Sequence, residues 1–258
     1  MLTRAPRSLR AEYDEYVQRE IEDYKYSLTN GALFSLADDA ARTLHESDQV
    51  MMGELLLADE VDRIIRKRLR IPSYETWRKR RLRNASAMQK PEHWGLRPDT
   101  PLARAIPAVR SALPVLVSGA RVEGTALYLA ANGCEITAFE PEQEVADRLL
   151  DSAREAGLGA RVRTEVSDLV RWEPDGPIAA VVCTPAAFQG LSTEERRRVI
   201  ELLQAATADG GVHLVETIVA GQMVMDEEEL RSRYDGWQIQ IVREPGETQA
   251  FLARKAVA

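Results

Sequence analysis

A carboxylate follows a glycine-containing turn at the spacing that nucleotide-binding proteins use to hold a ribose. The stretch Val115–Pro141 begins with a short apolar run, which predicts a strand buried on both faces. Gly119 and Gly124 bracket a turn, and a helix follows that Gly133 is placed to end. Glu140 comes roughly 20 residues after the turn, at the predicted end of a second strand. Such a βαβ unit can hold ribose hydroxyls beside the amino terminus of a helix.

Other kinds of chemical site have weaker support in the sequence. The residues from Gly119 to Gly124 have the Gly-x4-Gly spacing of a phosphate-binding loop, but the lysine of that loop is missing after Gly124. Cys134 and Cys183 lie in apolar surroundings, which predicts buried free thiols and no disulfide. No histidine lies near these cysteines at metal-ligand spacing, so we expect no resident metal.

From Pro101 onward, predicted strands alternate with predicted helices. Beyond the opening unit, apolar runs predict strands at Arg161–Val166, Ile178–Cys183 and Val212–Thr217. Periodic patterns predict helices at Leu102–Leu113, Glu142–Ala156, Thr193–Ala206 and Glu227–Tyr234, with a turn at Asp209-Gly210-Gly211 after the third. The tail adds two strands, Trp237–Arg243 and Gln249–Arg254. Parallel βα units that end in an antiparallel hairpin indicate an α/β fold with a Rossmann-like sheet.

The first hundred residues predict helices and no convincing strand. Apolar spacing predicts helices at residues 8–30, Ala32–His45, Asp48–Leu69 and Tyr74–Met88, before a linker rich in proline. We therefore expect a helical extension over residues 1–100 and an α/β domain over residues 101–258. Aromatic side chains of the extension could wall a ligand pocket, although packing is the commoner role of such residues: Tyr13, Tyr16, Tyr24, Trp77 and Trp94.

A basic segment is concealed within a net charge of −7. Ten basic residues and one acid lie between Arg63 and Arg83, so this segment carries +9 and the rest of the chain −16. Such a segment can bind nucleic acid, a phosphate-rich ligand or an acidic protein, or it can pair with acids of its own chain. No apolar run is long enough to span a membrane and Met1–Arg10 lacks a signal-peptide core, so we expect a cytoplasmic protein.

Over roughly Pro101–Ala258 the sequence resembles the class I S-adenosylmethionine-dependent methyltransferases, and most of all their small-molecule branch, such as tellurite-resistance and thiopurine enzymes. ALYLAANGCEITAFEP is similar to the family's first helix and second strand, and LSTEERRRVIELLQAATADGGVHLVET to its helix, Gly-Gly turn and fifth strand. The resemblance implies S-adenosylmethionine as cofactor, with Glu140 on the ribose hydroxyls and Asp168, in Val-Ser-Asp-Leu, at the adenine amino group. The further cofactor contacts it implies are Gly119, Arg121, Gly124, Leu169 and Cys183.

The first glycine motif departs from the family pattern. Val117 stands where the family has an acid, and Arg121 and Glu123 replace the middle and last glycines. Glycines there let backbone amides approach the cofactor, whereas these two side chains add bulk and opposite charges. A turn that slips by one residue would bring Gly124 into partial compensation. Cofactor binding is expected to be weak or absent if the altered loop is not functional.

The sequence therefore supports two functional hypotheses. The favoured one is methyl transfer from S-adenosylmethionine to a small-molecule acceptor, with the helical extension covering the site. The alternative is a catalytically inactive methyltransferase-like scaffold, a possible pseudoenzyme, which uses residues 63–83 to hold an acidic protein partner or RNA. An RNA-modifying enzyme is a third reading of the same basic segment.

No catalytic residue is evident from the sequence. Thr184 and Gln189, after the fourth strand, could hydrogen-bond a substrate, although a structural role is the commoner one for such residues. The Asn-Pro-Pro-aromatic signature of enzymes that methylate nucleic-acid bases is absent there. His213 lies within a predicted strand, so we expect a packed core residue in preference to a base. Glu216, at the end of that strand, is better placed to face a site, and simple exposure to solvent is an equal alternative for it.

Overall fold

The computed structural model divides the chain into two compact units, Met1–Asn84 and Ala85–Ala258. The structure describes residues 8–45, 53–98, 100–104, 112–119, 122–167, 169–188, 190–219, 222–223, 227–243 and 249–257. The division falls inside a helix, before the proline-rich linker at which the sequence predicts the boundary. Each unit has a buried apolar core of its own.

The described part of the amino-terminal unit is helical. Its helices are α1 (Leu9–Ser27), α2 (Asn30–His45), α3 (Gly53–Arg68) and α4 (Tyr74–Met88), the last of which continues beyond Asn84. Ser8 caps α1 by accepting a hydrogen bond from the Ala11 amide at 3.2 Å. Apolar side chains at helical spacing from three of the helices form the small core: Val17, Ile21, Leu36 and Ile65.

Helix α3 ends in a left-handed residue that is not glycine. Arg70 has a φ of 51°, and the amides of Arg70 and Ile71 donate to the carbonyls of Lys67 and Arg66 at 3.3 and 3.1 Å. This is the hydrogen-bond pattern of a Schellman motif, whose left-handed position glycine usually occupies. Pro72 then prevents the helix from continuing, as the sequence predicts.

The second unit is an α/β layered structure built on one mixed sheet. The strands are β1 (Val115–Ser118), β2 (Ile136–Phe139), β3 (Val162–Glu165), β4 (Ile178–Cys183), β5 (Thr207–Val219), β6 (Gln222–Met223), β7 (Gln238–Arg243) and β8 (Gln249–Arg254). Their order is β3-β2-β1-β4-β5-β8-β7, and the short β6 pairs with β5. Strands β1 to β5 run parallel, whereas β8 is antiparallel to both β5 and β7. The predicted Rossmann-like sheet with its carboxyl-terminal hairpin is confirmed.

Helices cover both faces of the sheet. Helices α5 (Val122–Ala131) and α6 (Gln143–Glu155) pack on one face, and α7 (Thr193–Ala206) and α8 (Glu227–Arg233) on the other. Ser192 and Glu195 form a capping box that starts α7. Of the helix predicted at Leu102–Leu113, residues 101–104 are helical and residues 105–111 lie outside the described part.

The fifth strand is longer than predicted, and the Asp209-Gly210-Gly211 turn lies within it. Helix α7 passes into β5 at Thr207, and the pairing with β4 then jumps from Ile178–Thr207 to Ala180–Val212. Residues 208–211 therefore bulge out of the ladder. Gly211 fits there because a Cβ would lie 2.8 Å from the Ala179 carbonyl oxygen.

The described part of the connection from β3 to β4, residues 166–177, contains no helix. Leu169 and Trp172 are buried instead against the sheet face, where the Trp172 ring meets Phe139 edge-on at 5.5 Å.

Among the helices that the structure describes, none has the length and apolar character that a membrane span requires.

Candidate functional site

Three loops leave the carboxyl edge of the sheet side by side. The last residues of β1, β2 and β4 are paired in register, so the residues that follow them, Gly119, Glu140 and Thr184, begin neighbouring loops. Strand β1 lies between β2 and β4, which is where the order of the parallel strands reverses. Open α/β sheets bind ligands in the crevice at such a switch point.

Residue 119 must be a glycine because the segment after β4 packs closely against it and leaves no room for a side chain. Its φ is +107°, which side chains rarely tolerate, and a Cβ there would collide with the Thr184 hydroxyl. The Ala187 amide would be a further 3.1 Å neighbour of that Cβ. The segment after β4, which forms a 3₁₀ turn at Pro185–Phe188, thus covers one side of Gly119.

Glu140 is a buried carboxylate at the end of β2. Its relative exposure is 9%, and among the residues that the structure describes none donates a hydrogen bond to its side chain. Burial raises the pKa of Glu140, Glu142 adds to this shift, and Arg148 opposes it. A buried carboxylate that accepts no hydrogen bond from the described residues is suited to a ligand that brings hydroxyl groups.

The first turn of α5 departs from the predicted loop. The helix begins at Val122, so Glu123 and Gly124 are helical residues. The Glu123 carboxylate accepts a hydrogen bond from the Ser152 hydroxyl of α6 at 2.7 Å, so it joins two helices. A Cβ on Gly124 would lie 2.7 Å from the Trp94 carbonyl oxygen, which explains this glycine by packing alone.

Three other predicted residues have side chains in the apolar core. Val117, Leu169 and Cys183 are between 1% and 3% exposed. Burial raises the pKa of the Cys183 thiol to about 12, so the thiol stays protonated at neutral pH. Any contact that Leu169 or Cys183 makes with a cofactor must therefore come from the backbone.

The remaining predicted residues cannot be located. Arg121, Asp168 and Gln189 lie outside the described residues, and so does the side chain of Glu216. Their roles stay predictions.

In the amino-terminal unit, Tyr13, Tyr16 and Trp77 pack on one another at centroid distances of 5.5 to 6.4 Å.

His213 is a core residue, as the sequence predicts, and it anchors a polar network that sequence reasoning missed. The Thr207 hydroxyl donates to the Leu203 carbonyl at 2.7 Å, so it accepts from His213 Nε2 at 2.6 Å. Nδ1 of the neutral ring therefore accepts from the Tyr234 hydroxyl at 2.8 Å. Burial, aided by Lys255, lowers the pKa of His213 to about 3.

Two cavities are lined by described residues of the second unit. One, of about 510 Å³, lies between the sheet and the β3–β4 connection, and its walls include Leu116, Thr137, Arg163, Glu165, Trp172 and Asp175. The other, of about 440 Å³, lies beside α5 and α6, and its walls include His93, Trp94, Glu123, Leu127, Ser152 and Glu155. Gly119, Glu140 and Thr184 are not among the described residues that line either cavity.

Comparisons with known proteins identify structural neighbours. No protein-family model matches the sequence, and no curated protein matches it. The chain is similar to TehB from Haemophilus influenzae, at 20% identity and a TM-score of 0.51, over 60% of this chain and 61% of that one. It is also similar to magnesium protoporphyrin IX methyltransferase from Synechocystis PCC 6803 with bound SAM, at 16% identity and a TM-score of 0.49, over 60% and 76%.

The matched region spans less than two thirds of the TehB chain. An identity this low carries information about the fold and none about the activity. The fold agrees with the resemblance in the sequence, since five parallel strands are followed by an antiparallel hairpin whose last strand inserts beside β5. The chain therefore has the Rossmann-like fold of the class I S-adenosylmethionine-dependent methyltransferases.

Proposed function

We propose that the chain binds S-adenosylmethionine at the carboxyl edge of its sheet and transfers the methyl group to a small-molecule acceptor. The observation that carries this proposal is the buried Glu140 carboxylate, which has no hydrogen-bond donor among the described residues. Glu140 follows the strand beside β1, at the switch point of the sheet. A ribose diol would supply hydrogen-bond donors to this carboxylate.

In this proposal, different residues of the chain bind the cofactor and contact the acceptor. S-adenosylmethionine, when bound, supplies a methyl group already activated by its positive sulfur, so the protein has mainly to align an acceptor. Glu140 accepts hydrogen bonds from the ribose hydroxyls, and the start of the loop after β1 lies beside it. Thr184, which begins the loop after β4, places its hydroxyl against Gly119 and is the candidate for contact with an acceptor.

The glycine motif is altered at Val117, Arg121 and Glu123, and the structure makes the change at Glu123 compatible with this proposal. The Glu123 carboxylate is held by Ser152 and is already accounted for inside the protein. Val117 is buried in the core and offers no charge to the cofactor's ammonium group. Weak cofactor binding is therefore expected.

Calorimetric titration with S-adenosylmethionine tests the proposal. The wild type should bind, and Glu140→Gln should bind about 10- to 100-fold more weakly, because hydrogen bonds to a charged acceptor contribute about 1.5 to 3 kcal/mol. Glu142→Gln is the matched control, since Glu142 is exposed and lies two residues away, and its affinity should equal that of the wild type. Wild-type protein that fails to bind at millimolar cofactor would overturn the proposal, and so would equal affinities of all three proteins.

The acceptor class needs a separate assay. Methyl-labelled S-adenosylmethionine is incubated with the protein and a cell extract divided by ultrafiltration into low-mass and macromolecular fractions. Label should enter the low-mass fraction with the wild type and fall with Glu140→Gln. Label that enters only protein or nucleic acid would contradict the small-molecule acceptor.

A further inference from the structure

The basic segment of the amino-terminal unit, residues 63–83, has few charged partners among the described residues. Four of its ten cations pair with acids of the same unit: Arg63 with Glu60, Arg68 with Asp39, Arg78 with Glu75 and Arg81 with Glu12. The other six are exposed and make no ion pair or hydrogen bond through their side chains with any described residue. These six are called the basic surface: Arg66, Lys67, Arg70, Lys79, Arg80 and Arg83.

We propose that the basic surface binds the phosphate backbone of nucleic acid. Three of its six residues lie on α4, none of whose described residues is buried. Trp77 and Arg81 of α4 contact α1, through the rings of Tyr13 and Tyr16 and through Glu12. At 100° per residue, Lys79 and Arg83 lie on the side of α4 opposite Trp77 and Arg81. Arg80 lies roughly 60° from Trp77, within electrostatic range of Tyr16.

Helix stability does not account for the cations of α4. Positive charges in the last turn of a helix interact favourably with its dipole, and this explains Arg66 and Lys67 in α3. In α4 the last turn has no basic residue, and the cations lie in the first two thirds of the helix. There they repel one another and gain little from the dipole. A ligand with a high density of negative charge would remove that repulsion.

Arg70 is a second, independent observation, because this cation occupies a backbone position at which it lowers the stability of the fold. It occupies the left-handed position after α3 at a φ of 51°, where glycine avoids the strain of a side chain. Its side chain is exposed and has no partner among the described residues. A cation at a position where a neutral glycine would be more stable is consistent with a binding role.

The chemistry of the surface favours nucleic acid over an acidic protein. Protein interfaces have an apolar or aromatic centre from which charged residues, lysine above all, are depleted. Between Arg63 and Arg83, the exposed large apolar residues are Leu69 and Leu82, at 37% and 48%, on separate segments. Nucleic-acid interfaces, in contrast, are polar and strongly positive. Guanidinium groups match phosphate oxygens in particular, and four of the six residues are arginines.

Fluorescence anisotropy with a labelled mixed-sequence RNA of about 20 nucleotides, repeated with a DNA duplex of similar length, tests this proposal over a range of salt concentrations. The test variant is the triple substitution Lys79→Gln, Arg80→Gln and Arg83→Gln. The matched control removes the same charge from exposed positions of the other unit, by Arg163→Gln, Arg198→Gln and Arg254→Gln.

The wild type should bind with an affinity that falls as salt rises, and the test variant should reduce the slope of log K against log salt by about 2 to 3. Its affinity at low salt should fall at least tenfold, whereas the control should stay within about twofold of the wild type. Equal losses in both triple variants would overturn the proposal, because they would reflect net charge alone. Polyglutamate that displaces the RNA at equal charge concentration would assign the surface to an acidic protein instead.

This proposal does not rest on the proposed methyl transfer. The test variant should bind S-adenosylmethionine as the wild type does, since its three substitutions lie in the other unit from Glu140. A failed RNA titration and a failed cofactor titration are therefore distinct results.

Discussion

The hydroxyl of Thr184 lies against Gly119, in the space that a side chain on residue 119 would need. This contact joins the loops that follow β1 and β4 at the carboxyl edge of the sheet. It also means that the glycine most similar to a cofactor-binding glycine is required by the fold itself. Loss of cofactor binding in a Gly119 variant would not by itself identify a ligand contact.

Gly119→Ala should destabilise the second unit by at least about 2 kcal/mol. The new Cβ adds a steric collision with Thr184 to the strain of a positive φ. Urea denaturation of the single variant and of Gly119→Ala with Thr184→Gly measures the two parts. The double variant should recover part of the loss, because the collision is relieved while the strain remains. A single variant as stable as the wild type would contradict the structure around Gly119.

Gly124→Ala should also destabilise, although glycine in a helix is usually a poor choice. The added methyl would lie 2.7 Å from the Trp94 carbonyl oxygen, and the displacement should cost about 1 to 2 kcal/mol. Gly31→Ala in α2 is the matched control, since nothing lies within 4 Å of its Cβ position. That control should stabilise by up to about 1 kcal/mol. Denaturation curves with opposite shifts for the two variants are the expected result.

Glu140→Gln should stabilise the protein near neutral pH while it weakens cofactor binding. Burial raises the pKa of Glu140, so the folded state bears the cost of a buried charge once the pH exceeds that pKa. The gain should shrink as the pH falls, because both states then hold a neutral carboxyl group. Glu142→Gln removes a charge that adds to the shift and should give a smaller gain of the same sign. Thermal unfolding from pH 3.5 to 8 checks the trend; a loss of stability at pH 7 in Glu140→Gln would be inconsistent with it.

The buried His213 should make the protein acid-sensitive. Its pKa of about 3 in the folded state lies below the ordinary value near 6.5, so between these values only the unfolded state takes up the proton. Stability is therefore lost as the pH falls through this window. His213→Gln should flatten that part of the profile and cost about 1 to 3 kcal/mol at pH 7, because Thr207 and Tyr234 lose their partner.

Tyr234→Phe provides the comparison for His213. It removes the hydroxyl that donates to Nδ1 but keeps the histidine, so it should lower stability by about 1 kcal/mol without flattening the pH profile. Urea denaturation at several pH values separates the two variants. Identical profiles for the wild type and His213→Gln between pH 6.5 and 3 would show that another group causes the acid sensitivity.

Arg70→Gly should stabilise the amino-terminal unit by about 0.5 to 1 kcal/mol. The substitution relieves the left-handed strain at the end of α3 while the amides of residues 70 and 71 keep their hydrogen bonds. Lys67→Gly, within the last turn of the same helix, should instead destabilise by up to about 1 kcal/mol. Helical circular dichroism during denaturation records both. A stability gain coupled to weaker RNA binding in Arg70→Gly would also support the basic surface.

Local signals in the sequence determined most of the helices and strands and their succession along the chain. The apolar run at Ile178–Cys183 and the capped periodic pattern at Thr193–Ala206 have the predicted bounds in the structure. These features depend on neighbouring residues, because strand burial, helix caps and glycine turns act within a few positions of the chain. The position of Glu140 at a strand end follows from the same local pattern.

Tertiary structure alone decided what the individual residues do at the carboxyl edge. Ser152 holds the Glu123 carboxylate from 29 residues along the chain, and Trp94 accounts for Gly124. The bulge at residues 208–211 likewise depends on the register between β4 and β5. Each of these contacts joins residues that are distant in sequence, and the residue types of a turn carry no record of what packs against it. For that reason the sequence could indicate a nucleotide-binding turn whose glycines depart from the family pattern. Only the folded chain showed which residues pack against each position of that turn.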